Sequence, residues 1–342
     1  MDSVQRYFAF LDDRIGEIRK DREETISIRI CGRLVRLRFV NIQPDRVLRI
    51  NLERLSAADE EPVDEEAFIW EDSLDRIAPG ADMIPMDRRS LHYHQGTDYK
   101  LLFPGVVKRQ ASRDIRRRRT YITFENGHVY PESYINKPFV NEMQWWLEDH
   151  YYLMHGALVG MNGNGALITA PSGKGKSTLA LSGLVCGMDY ISEDYVLVSR
   201  EGELLGHFIF PTGFMLEDTL EMLPDLKSGI LLYDRSRNKY LVDLSRYKLQ
   251  FKDHLRIRCL IYPEVTDRKD PVIRKSDNAF SFMQAVKTTV KQINADKYSD
   301  YFMKLFVRFK DVPSYRFDLT RDTMKNAEYL KMFMEEIGDG QT

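Results

Sequence analysis

The sequence predicts an α/β protein with two domains, a small β-rich α+β domain over residues 1–136 and an α/β domain over residues 137–342. Short strand-like runs dominate the first part, strands and helical periodicity alternate in the second, and helical periodicity dominates the last third. With 342 residues, 43% of them hydrophobic, the chain is long enough to build two domains that each have a core.

The first domain is predicted to open with a helix and a hairpin. Apolar residues at helical spacing over 8–18 indicate a short amphipathic helix, and alternation over 26–39, broken at Gly32, indicates two strands joined by a tight turn. Residues 57–66 are acidic and indicate a solvated loop, and short strands separated by Pro and Gly fill residues 67–136. We expect this domain to recognise a substrate or a partner.

The second domain is predicted to begin with an amphipathic helix over 139–151 that docks on a sheet. Two strands joined by a glycine-rich turn at 162–165 follow, and shorter strands alternate with polar turns up to residue 262. A strand at 315–319 lies between the last two of three helical stretches. These stretches are residues 278–293, 298–309 and 321–337.

The charge balance and the cysteines disfavour several classes of protein. The chain has 50 Lys+Arg against 52 Asp+Glu, so bulk electrostatics gives no reason to expect nucleic acid or a membrane as the main partner. No run approaches the roughly 20 apolar residues that a bilayer span requires, and the charged N-terminus does not look like a signal peptide. The three cysteines are far apart, which disfavours a disulfide framework. We therefore expect a cytoplasmic protein.

The most informative passage is a phosphate-loop motif at residues 170–177. The pattern G-x-x-x-x-G-K-[ST] is met by Gly175, Lys176 and Ser177, with Ala170 in the place of the first glycine. An apolar strand precedes the loop and a helix follows it, which is the order that a phosphate loop requires. The alternative is a glycine-rich turn that binds no ligand. Such a turn would explain the glycines, but it would not require a strand, a Gly-Lys-Ser sequence and a helix in this order.

The residues of the loop have predicted roles in holding ATP and Mg²⁺. Gly173 and Gly175 allow backbone N–H groups to approach a polyphosphate, and the helix N-terminus adds positive potential. Lys176 is predicted to reach the β- and γ-phosphates, and the Ser177 hydroxyl to bind Mg²⁺. The predicted nucleotide-binding residues of the loop are Ser172, Gly173, Lys174, Gly175, Lys176, Ser177 and Thr178.

Two carboxylates and a histidine accompany the loop. Glu193 and Asp194 follow a short apolar strand, 17 and 18 residues after Lys176. Adjacent carboxylates at a strand end beside a phosphate loop could hold the metal and accept the proton of an attacking hydroxyl. His155 begins the strand that runs antiparallel into the loop strand, where the sequence is equally compatible with a structural and a catalytic histidine.

These residues resemble the kinase domain of the HPr kinase/phosphorylase superfamily, whose nucleotide fold is related to that of ATP-dependent phosphoenolpyruvate carboxykinase. The resemblance covers about residues 150–265 and includes the histidine, the phosphate loop and the acidic pair. It implies a base role for Asp194 toward a serine hydroxyl and places His155 near the transferred phosphate. Glu193 stands where the family usually has Asp, and with Ser177 it would support the metal.

The resemblance is closer to HPr-kinase-like proteins than to the bifunctional members. Residues 201–230 lack the E-I-R-G motif that is associated with phosphorylase activity, so the resemblance gives no support for phosphorolysis. Proteins encoded beside lasso and other modified peptide precursors are more similar, since they join such a kinase domain to a different β-rich N-terminal domain. They imply a hydroxyl of a peptide, protein or small molecule as acceptor.

Two basic clusters carry less specific predictions. Arg235, Arg237 and Lys239 lie in a polar loop that enters a strand, and one of them could stabilise a transferring phosphoryl group. Lys239 is favoured, because similar proteins place a lysine just before this strand. Residues 108–119 hold seven basic residues and one acid and end in four arginines. A solvated face or a site for an acidic partner is favoured over RNA, because no aromatic nucleic-acid module accompanies the run.

The sequence therefore predicts an ATP- and Mg²⁺-dependent kinase in which Asp194, His155 and Lys176 are the catalytic residues. The alternative is a nucleotide-dependent binding or regulatory module that binds ATP without phosphoryl transfer. Neither a membrane nor nucleic acid is an expected partner, and the sequence leaves open a homo-oligomer.

Overall fold

The chain folds into two compact units, Met1–Trp146 and Leu147–Thr342. The structure is a computed structural model. It describes residues 2–18, 22–59, 62–79, 92–96, 98–103, 108–127, 137–235, 237–277, 282–283, 286, 289 and 298–339.

The first unit is a mixed β-sheet accompanied by helices. Its elements are α1 (Ser3–Ile18), β1 (Glu23–Ile30), β2 (Arg33–Val40), α2 (Arg46–Glu53), β3 (Glu65–Asp72), β4 (His92–Gln95), β5 (Tyr99–Phe103), β6 (Arg109–Asp114), β7 (Arg119–Glu125) and α3 (Val140–Leu147). Over the described residues the strand order is β1-β2-β3-β7-β6-β5-β4. The pairs β2–β3 and β3–β7 are parallel and the others are antiparallel.

Helix α1 supplies one side of the core of the first unit. Its buried residues are Tyr7, Phe8, Leu11 and Ile15. The Phe8 ring lies 5.6 Å from the ring of Tyr121, which in turn stacks on Phe68 at 5.8 Å. The predicted N-terminal helix and hairpin are present as α1 and as β1 paired with β2.

Hydrogen bonds tie helix α3 to the sheet of the first unit. Trp146 Nε1 donates to Thr120 Oγ1 at 2.9 Å, and the guanidinium of Arg113 donates to the carbonyl oxygen of Trp145. Because an indole N–H and a backbone carbonyl need partners when buried, these bonds hold the helix on the sheet. The first unit consequently extends to Trp146, past the predicted domain boundary at residue 136.

The second unit contains two sheets with helices between and around their strands. Its elements are β8 (Tyr151–His155), β9 (Ala157–Met161), β10 (Asn164–Ile168), α4 (Lys176–Val185), β11 (Asp189–Ser192), β12 (Tyr195–Ser199), β13 (Leu205–His207), β14 (Thr212–Met215), α5 (Glu217–Met222), β15 (Ile230–Asp234), β16 (Lys239–Asp243), β17 (His254–Val265), β18 (Val272–Ser276), α6 (Tyr298–Phe309), β19 (Ser314–Leu319) and α7 (Thr323–Asp339). The helix predicted over 139–151 is thus shorter than expected, because β8 begins at Tyr151.

Strand β17 organises the larger sheet of the second unit. It pairs in parallel with β10 and β19 and antiparallel with β13. Over the part of the chain that is described, the sheet runs β11-β9-β10-β17-β13-β12-β8, with β19 on β17 and β18 on β19. A second sheet runs β14-β16-β15. The central parallel strands with their following helices α4 and α7 confirm the predicted fold class, an α/β phosphate-loop domain preceded by a small β-rich α+β domain.

The predicted C-terminal elements are largely found. Helices over 298–309 and 321–337 correspond to α6 and α7, and the strand at 315–319 corresponds to β19. The helix predicted over 278–293 lies for the most part outside the described residues. No helix within the described ranges has the length and apolar character needed to cross a bilayer.

Strands β13 and β17 place two histidines opposite each other. His207 and His254 pair in register, and their ring centroids are 5.7 Å apart. The Nε2 atom of His207 is buried and has no hydrogen-bond partner among the described residues. Burial, reinforced by His254, therefore lowers the pKa of His207 to about 4, although Asp253 acts in the opposite direction.

Acid is expected to destabilise the second unit through His207. The pKa of His207 is about 4 in the folded protein against an ordinary value of 6.5, so between these values the unfolded chain binds more protons and the free energy of unfolding falls as the pH drops. In urea unfolding we expect a loss of about 1–2 kcal/mol between pH 7 and pH 5, most of which is absent in His207→Gln. Equal losses in the wild type and in His207→Gln would contradict this assignment.

Candidate functional site

The phosphate-loop motif lies between β10 and α4, as predicted. Gly173 and Gly175 have φ angles of +83° and +88°, in the left-handed region that favours glycine. Gly175 caps the N-terminus of α4, and a Cβ atom at this position would lie 2.8 Å from Cδ1 of Leu319. At Gly173 a Cβ atom would meet no described atom within 4 Å, so the backbone there is open to a ligand. Ala170, in the place of the first glycine, is buried.

Lys176 links the phosphate loop to the acidic strand end. Its Nζ atom donates to the carbonyl oxygen of Glu193 at 2.6 Å and lies 3.8 Å from Oδ1 of Asp194. The side chain is only 7% exposed, and a buried ammonium is costly unless it is hydrogen-bonded and paired with opposite charge. The two oxygens therefore fix the ammonium at the end of β11, and the residues expected to act together do lie together.

The two acids point to different partners. Glu193 is 2% exposed, and its Oε1 atom accepts a hydrogen bond from the backbone N–H of Phe214 at 3.1 Å. Asp194 keeps 22% of its side chain exposed. The turn between them is fixed by Ser192, whose Oγ accepts from the N–H groups of Asp194 and Tyr195, both at 3.1 Å. Of the two carboxylates, Asp194 is therefore the one that can meet a second substrate.

His155 contacts the exposed carboxylate. Its Nε2 atom lies 3.1 Å from Oδ1 of Asp194, and the ring packs edge-on against Tyr195 with centroids 6.0 Å apart. The backbone N–H of His155 donates to Oγ1 of Thr289 at 3.1 Å. The other ring nitrogen, Nδ1, is buried and has no hydrogen-bond partner within the described residues. The Nε2 contact therefore places the imidazole of His155 beside the carboxylate of Asp194.

The remaining loop residues have mixed surroundings. Ser172 is exposed, whereas Lys174 pairs with Glu264 at 3.3 Å from Nζ to Oε1. The hydroxyl of Thr178 lies 3.1 Å from a threonine hydroxyl of α5. Ser177 is partly exposed in the first turn of α4. Ser177 is therefore partly open to a ligand, while Lys174 and Thr178 already have protein partners.

Of the three basic residues predicted to lie between β15 and β16, Arg237 has a described contact near the acidic pair. Its Cζ atom lies 4.9 Å from the centre of the Phe214 ring, and the backbone N–H of Phe214 binds Glu193. Lys239 begins β16, where its backbone pairs with Asp234, and no described contact joins it to the acidic pair. The nucleotide-binding role of Lys239 stays a prediction.

The residues present fit a polyphosphate and a magnesium ion. The open backbone at Gly173, the buried ammonium of Lys176 and the N-terminus of α4 suit phosphate oxygens. In the described ranges no group of three or more His, Cys, Asp and Glu residues forms a metal site of its own. Mg²⁺ typically takes one or two protein ligands and completes its shell with phosphates and water, and Ser177 with Glu193 matches that requirement.

Sequence reasoning missed several residues of this site. Tyr195 and Phe214 contact the histidine and the buried acid, and Thr289 holds the backbone at His155. Tyr195 follows the acidic pair directly, so its position was a usable signal. Thr289 is 134 residues from His155, and no local pattern marks it.

A comparison with curated proteins gives a local match. No family model matches the chain. A segment of 78 residues is 35% identical to an HPr kinase/phosphorylase of Chloroherpeton thalassium (strain ATCC 35110 / GB-78). This segment makes up 22% of this chain and 23% of that protein. Over this segment the chain is related to the HPr kinase/phosphorylase superfamily. The match spans about a quarter of the relative's length.

A solved structure matches over a longer stretch of the chain, at a lower sequence identity. The HPr(Ser) kinase/phosphatase from Coxiella burnetii shares 13% sequence identity, with 53% of this chain and 99% of that chain covered, at a TM-score of 0.27. The α/β assignment rests on the strands and helices of the chain itself.

Alanine substitutions at the two loop glycines should separate backbone strain from close packing. Both require positive φ, so each should lower the free energy of unfolding by about 1–2 kcal/mol. Gly175→Ala should cost at least about 1 kcal/mol more than Gly173→Ala, because its Cβ would also press on buried Leu319. Urea unfolding measures the difference, and equal costs would show that the tight packing at Gly175 is absent.

Proposed function

We propose that this chain is an ATP-dependent kinase that transfers the γ-phosphate to a hydroxyl, most simply that of a serine, of a peptide, protein or small molecule. One observation carries the proposal: His155 Nε2 at 3.1 Å and Lys176 Nζ at 3.8 Å converge on one oxygen of Asp194, beside a glycine-rich loop that opens a helix. The local similarity to an HPr kinase/phosphorylase supports the same conclusion.

The loop and Lys176 would hold the triphosphate. Backbone N–H groups around Gly173 and the N-terminus of α4 provide positive potential for the phosphates. The closest partner of the Lys176 ammonium is a neutral carbonyl oxygen, so much of its charge stays available for the β- and γ-phosphates. Replacing a carbonyl partner by a phosphate oxygen strengthens the pairing of a buried cation.

Asp194 would accept the proton of the attacking hydroxyl. In this step the hydroxyl oxygen forms a bond to the γ-phosphorus, the bond from the γ-phosphorus to the β,γ-bridging oxygen breaks, and that electron pair leaves on ADP. The proton moves to the Asp194 carboxylate, which is more exposed than that of Glu193. His155 would orient Asp194 through its Nε2 contact.

Ser177 and Glu193 would hold Mg²⁺, which when bound neutralises phosphate charge. Ser177 is partly exposed in the first turn of α4, and Glu193 is held in place by the N–H of Phe214. A glutamate side chain is one methylene longer than that of an aspartate. Glu193 is buried beside Gly213, and a Cβ atom at position 213 would lie only 3.2 Å from Glu193 Cγ. The glycine therefore leaves room for the longer side chain.

The proposal extends to partners and location. We propose that the first unit recognises the acceptor or a partner and that the enzyme works in the cytoplasm on a peptide, protein or small-molecule hydroxyl. The near-zero net charge of the chain supports a partner other than nucleic acid or a membrane surface.

Transfer from γ-labelled ATP to serine-containing peptides and to water tests the proposal. Lys176→Ala and Asp194→Asn should each lower transfer about 100-fold or more, because one removes the phosphate cation and the other the base. Lys176→Ala should also weaken ATP binding, whereas Asp194→Asn should not.

Matched controls make the same chemical changes outside the site. Lys252→Ala removes a lysine that pairs with Asp189, and Asp225→Asn changes an exposed aspartate of the same unit. Both should keep wild-type transfer. Full transfer in Asp194→Asn would remove Asp194 from the base role, and ATP binding by the wild type with no transfer to any acceptor or water would favour a regulatory nucleotide-binding module.

A further inference from the structure

The first unit contains a cleft between helix α1 and strands β2, β3 and β7. Its volume is about 340 Å³, at the lower end of the range of small-molecule sites. Two guanidiniums, two carboxylates, an aromatic ring and a glycine are among the groups that line it. They belong to Arg38, Arg119, Asp12, Glu66, Phe68 and Gly16. The proposed phosphoryl transfer uses none of these residues.

One carboxylate joins the two guanidiniums of the cleft. Arg38 Nε donates to Oε1 of Glu66 at 2.6 Å, and Arg119 Nε lies 3.5 Å from Oε2 of the same side chain. Each arginine also has a second carboxylate partner. Arg38 Nη1 donates to Glu23 at 2.8 Å. Arg119 Nη1 donates to Asp12 at 3.3 Å, so both guanidiniums are oriented before any ligand binds.

Both guanidiniums keep hydrogen-bond donors for a ligand. The hydrogen bonds above use Nε and Nη1 of Arg38 and Nη1 of Arg119, and neither Nη2 atom has a hydrogen-bond partner within the described residues. Asp12, in contrast, already accepts from the hydroxyl of Tyr121 at 2.7 Å and from the guanidinium of Arg117. The cleft therefore has donors to spare, and a ligand that accepts hydrogen bonds fits it.

Apolar surface lies beside these donors. The Cζ atom of Arg119 is 5.8 Å from the centre of the Phe68 ring, and Phe68 is the register partner of Arg38 in the pairing of β2 with β3. A Cβ atom at Gly16 would meet no described atom within 4 Å, so α1 leaves the cleft open at this position. A carboxylate matches the oriented donors, and the methylene groups of an acidic side chain can contact the ring.

The cleft also divides the run of four arginines. Arg117 and Arg119 both pair with Asp12 of α1. Arg116 pairs instead with Asp98 at 2.7 Å and keeps 66% of its side chain exposed. The run therefore forms no uniform basic face of the kind that a nucleic-acid backbone requires, whereas Arg119 belongs to a formed cleft. This arrangement favours an acidic partner over RNA.

We propose that the cleft binds an acidic side chain, aspartate or glutamate, of a peptide or protein acceptor, with Arg38 and Arg119 as the donors. The inference rests on the proposed function, because it takes the bound chain to be the phosphate acceptor. Donors and shape, rather than net charge, select the ligand, since carboxylates of the first unit already pair with both arginines. Binding itself requires neither ATP nor the phosphate loop.

A ligand-observed NMR titration of the full chain tests the proposal and suits the weak binding of a short peptide. The probe is the peptide GSGEGEGSG, and its match has glutamine in place of both glutamates. The wild type should bind the acidic peptide about tenfold more tightly than the glutamine peptide. Arg38→Gln and Arg119→Gln should each remove most of that preference. Arg119→Lys should restore part of it, because lysine keeps the charge but not the planar fork.

Two further variants separate binding from a structural role of the ion pairs. Gly16→Leu fills the cleft and leaves every ion pair in place, and leucine is a better helix former than glycine. It should abolish the preference for the acidic peptide while the thermal midpoint stays equal or rises. Arg116→Gln removes a charge from the same arginine run outside the cleft and should keep the wild-type preference. Full preference in Gly16→Leu, Arg38→Gln and Arg119→Gln would overturn the assignment.

Small anions test whether the ligand is a side chain of a peptide. Acetate and inorganic phosphate, titrated in place of the peptide, should bind about tenfold more weakly than the acidic peptide, because they lack its further contacts. A wild type that binds either anion as tightly as the acidic peptide would overturn the assignment to a peptide side chain.

The outcomes also distinguish this inference from the proposed function. Lys176→Ala should bind the acidic peptide like the wild type, and in the transfer assay Arg119→Gln should raise KM for this peptide and leave kcat unchanged. Phosphoryl transfer by a wild type with no preference for the acidic peptide overturns the role of the cleft and leaves the kinase proposal intact. A preference that Gly16→Leu abolishes, without transfer to any acceptor, supports the cleft and contradicts the kinase proposal.

Discussion

The site depends on one hydrogen bond, from the ammonium of Lys176 to the carbonyl oxygen of Glu193. It joins the first residue of α4 to the end of β11 across 17 residues of chain, in a place where the lysine is almost fully buried. A charge in such a position must be paired, so the loop and the strand end are held together whenever the second unit is folded. The 3.8 Å contact between Lys176 Nζ and Asp194 Oδ1 lies at the same junction.

The two acids have different partners. The backbone carbonyl of Glu193 accepts from Lys176 and its side chain binds the N–H of Phe214 in β14, while Asp194 faces His155 and solvent. Ser192 accepts from the two N–H groups that follow and keeps the turn in this shape. A buried acid suited to an ion and an exposed acid suited to a proton result from adjacent positions in the sequence.

Local patterns were sufficient for the loop and the acids but not for their surroundings. Gly173, Gly175 and Lys176 could be predicted, because a phosphate loop is a short motif in which spacing dictates geometry. Arg237 was one of three basic residues in the sequence, of which Lys239 was favoured. The contacts of Arg237 with Phe214 and buried Asp234 come from the pairing of β14, β15 and β16, which no local pattern marks. The first unit extends to Trp146 for a similar reason, since distant Thr120 binds that indole.

The central claim is that Asp194 lies beside the terminal phosphates of ATP with Lys176 between them. Calorimetric titration of Mg²⁺·ATP into the wild type and Asp194→Asn tests it most directly, because asparagine keeps the shape and the oxygen that His155 contacts but removes the negative charge. ATP should bind Asp194→Asn about fivefold more tightly, equivalent to about 1 kcal/mol of relieved repulsion. Unchanged or weaker binding in Asp194→Asn would contradict the placement of ATP beside this carboxylate.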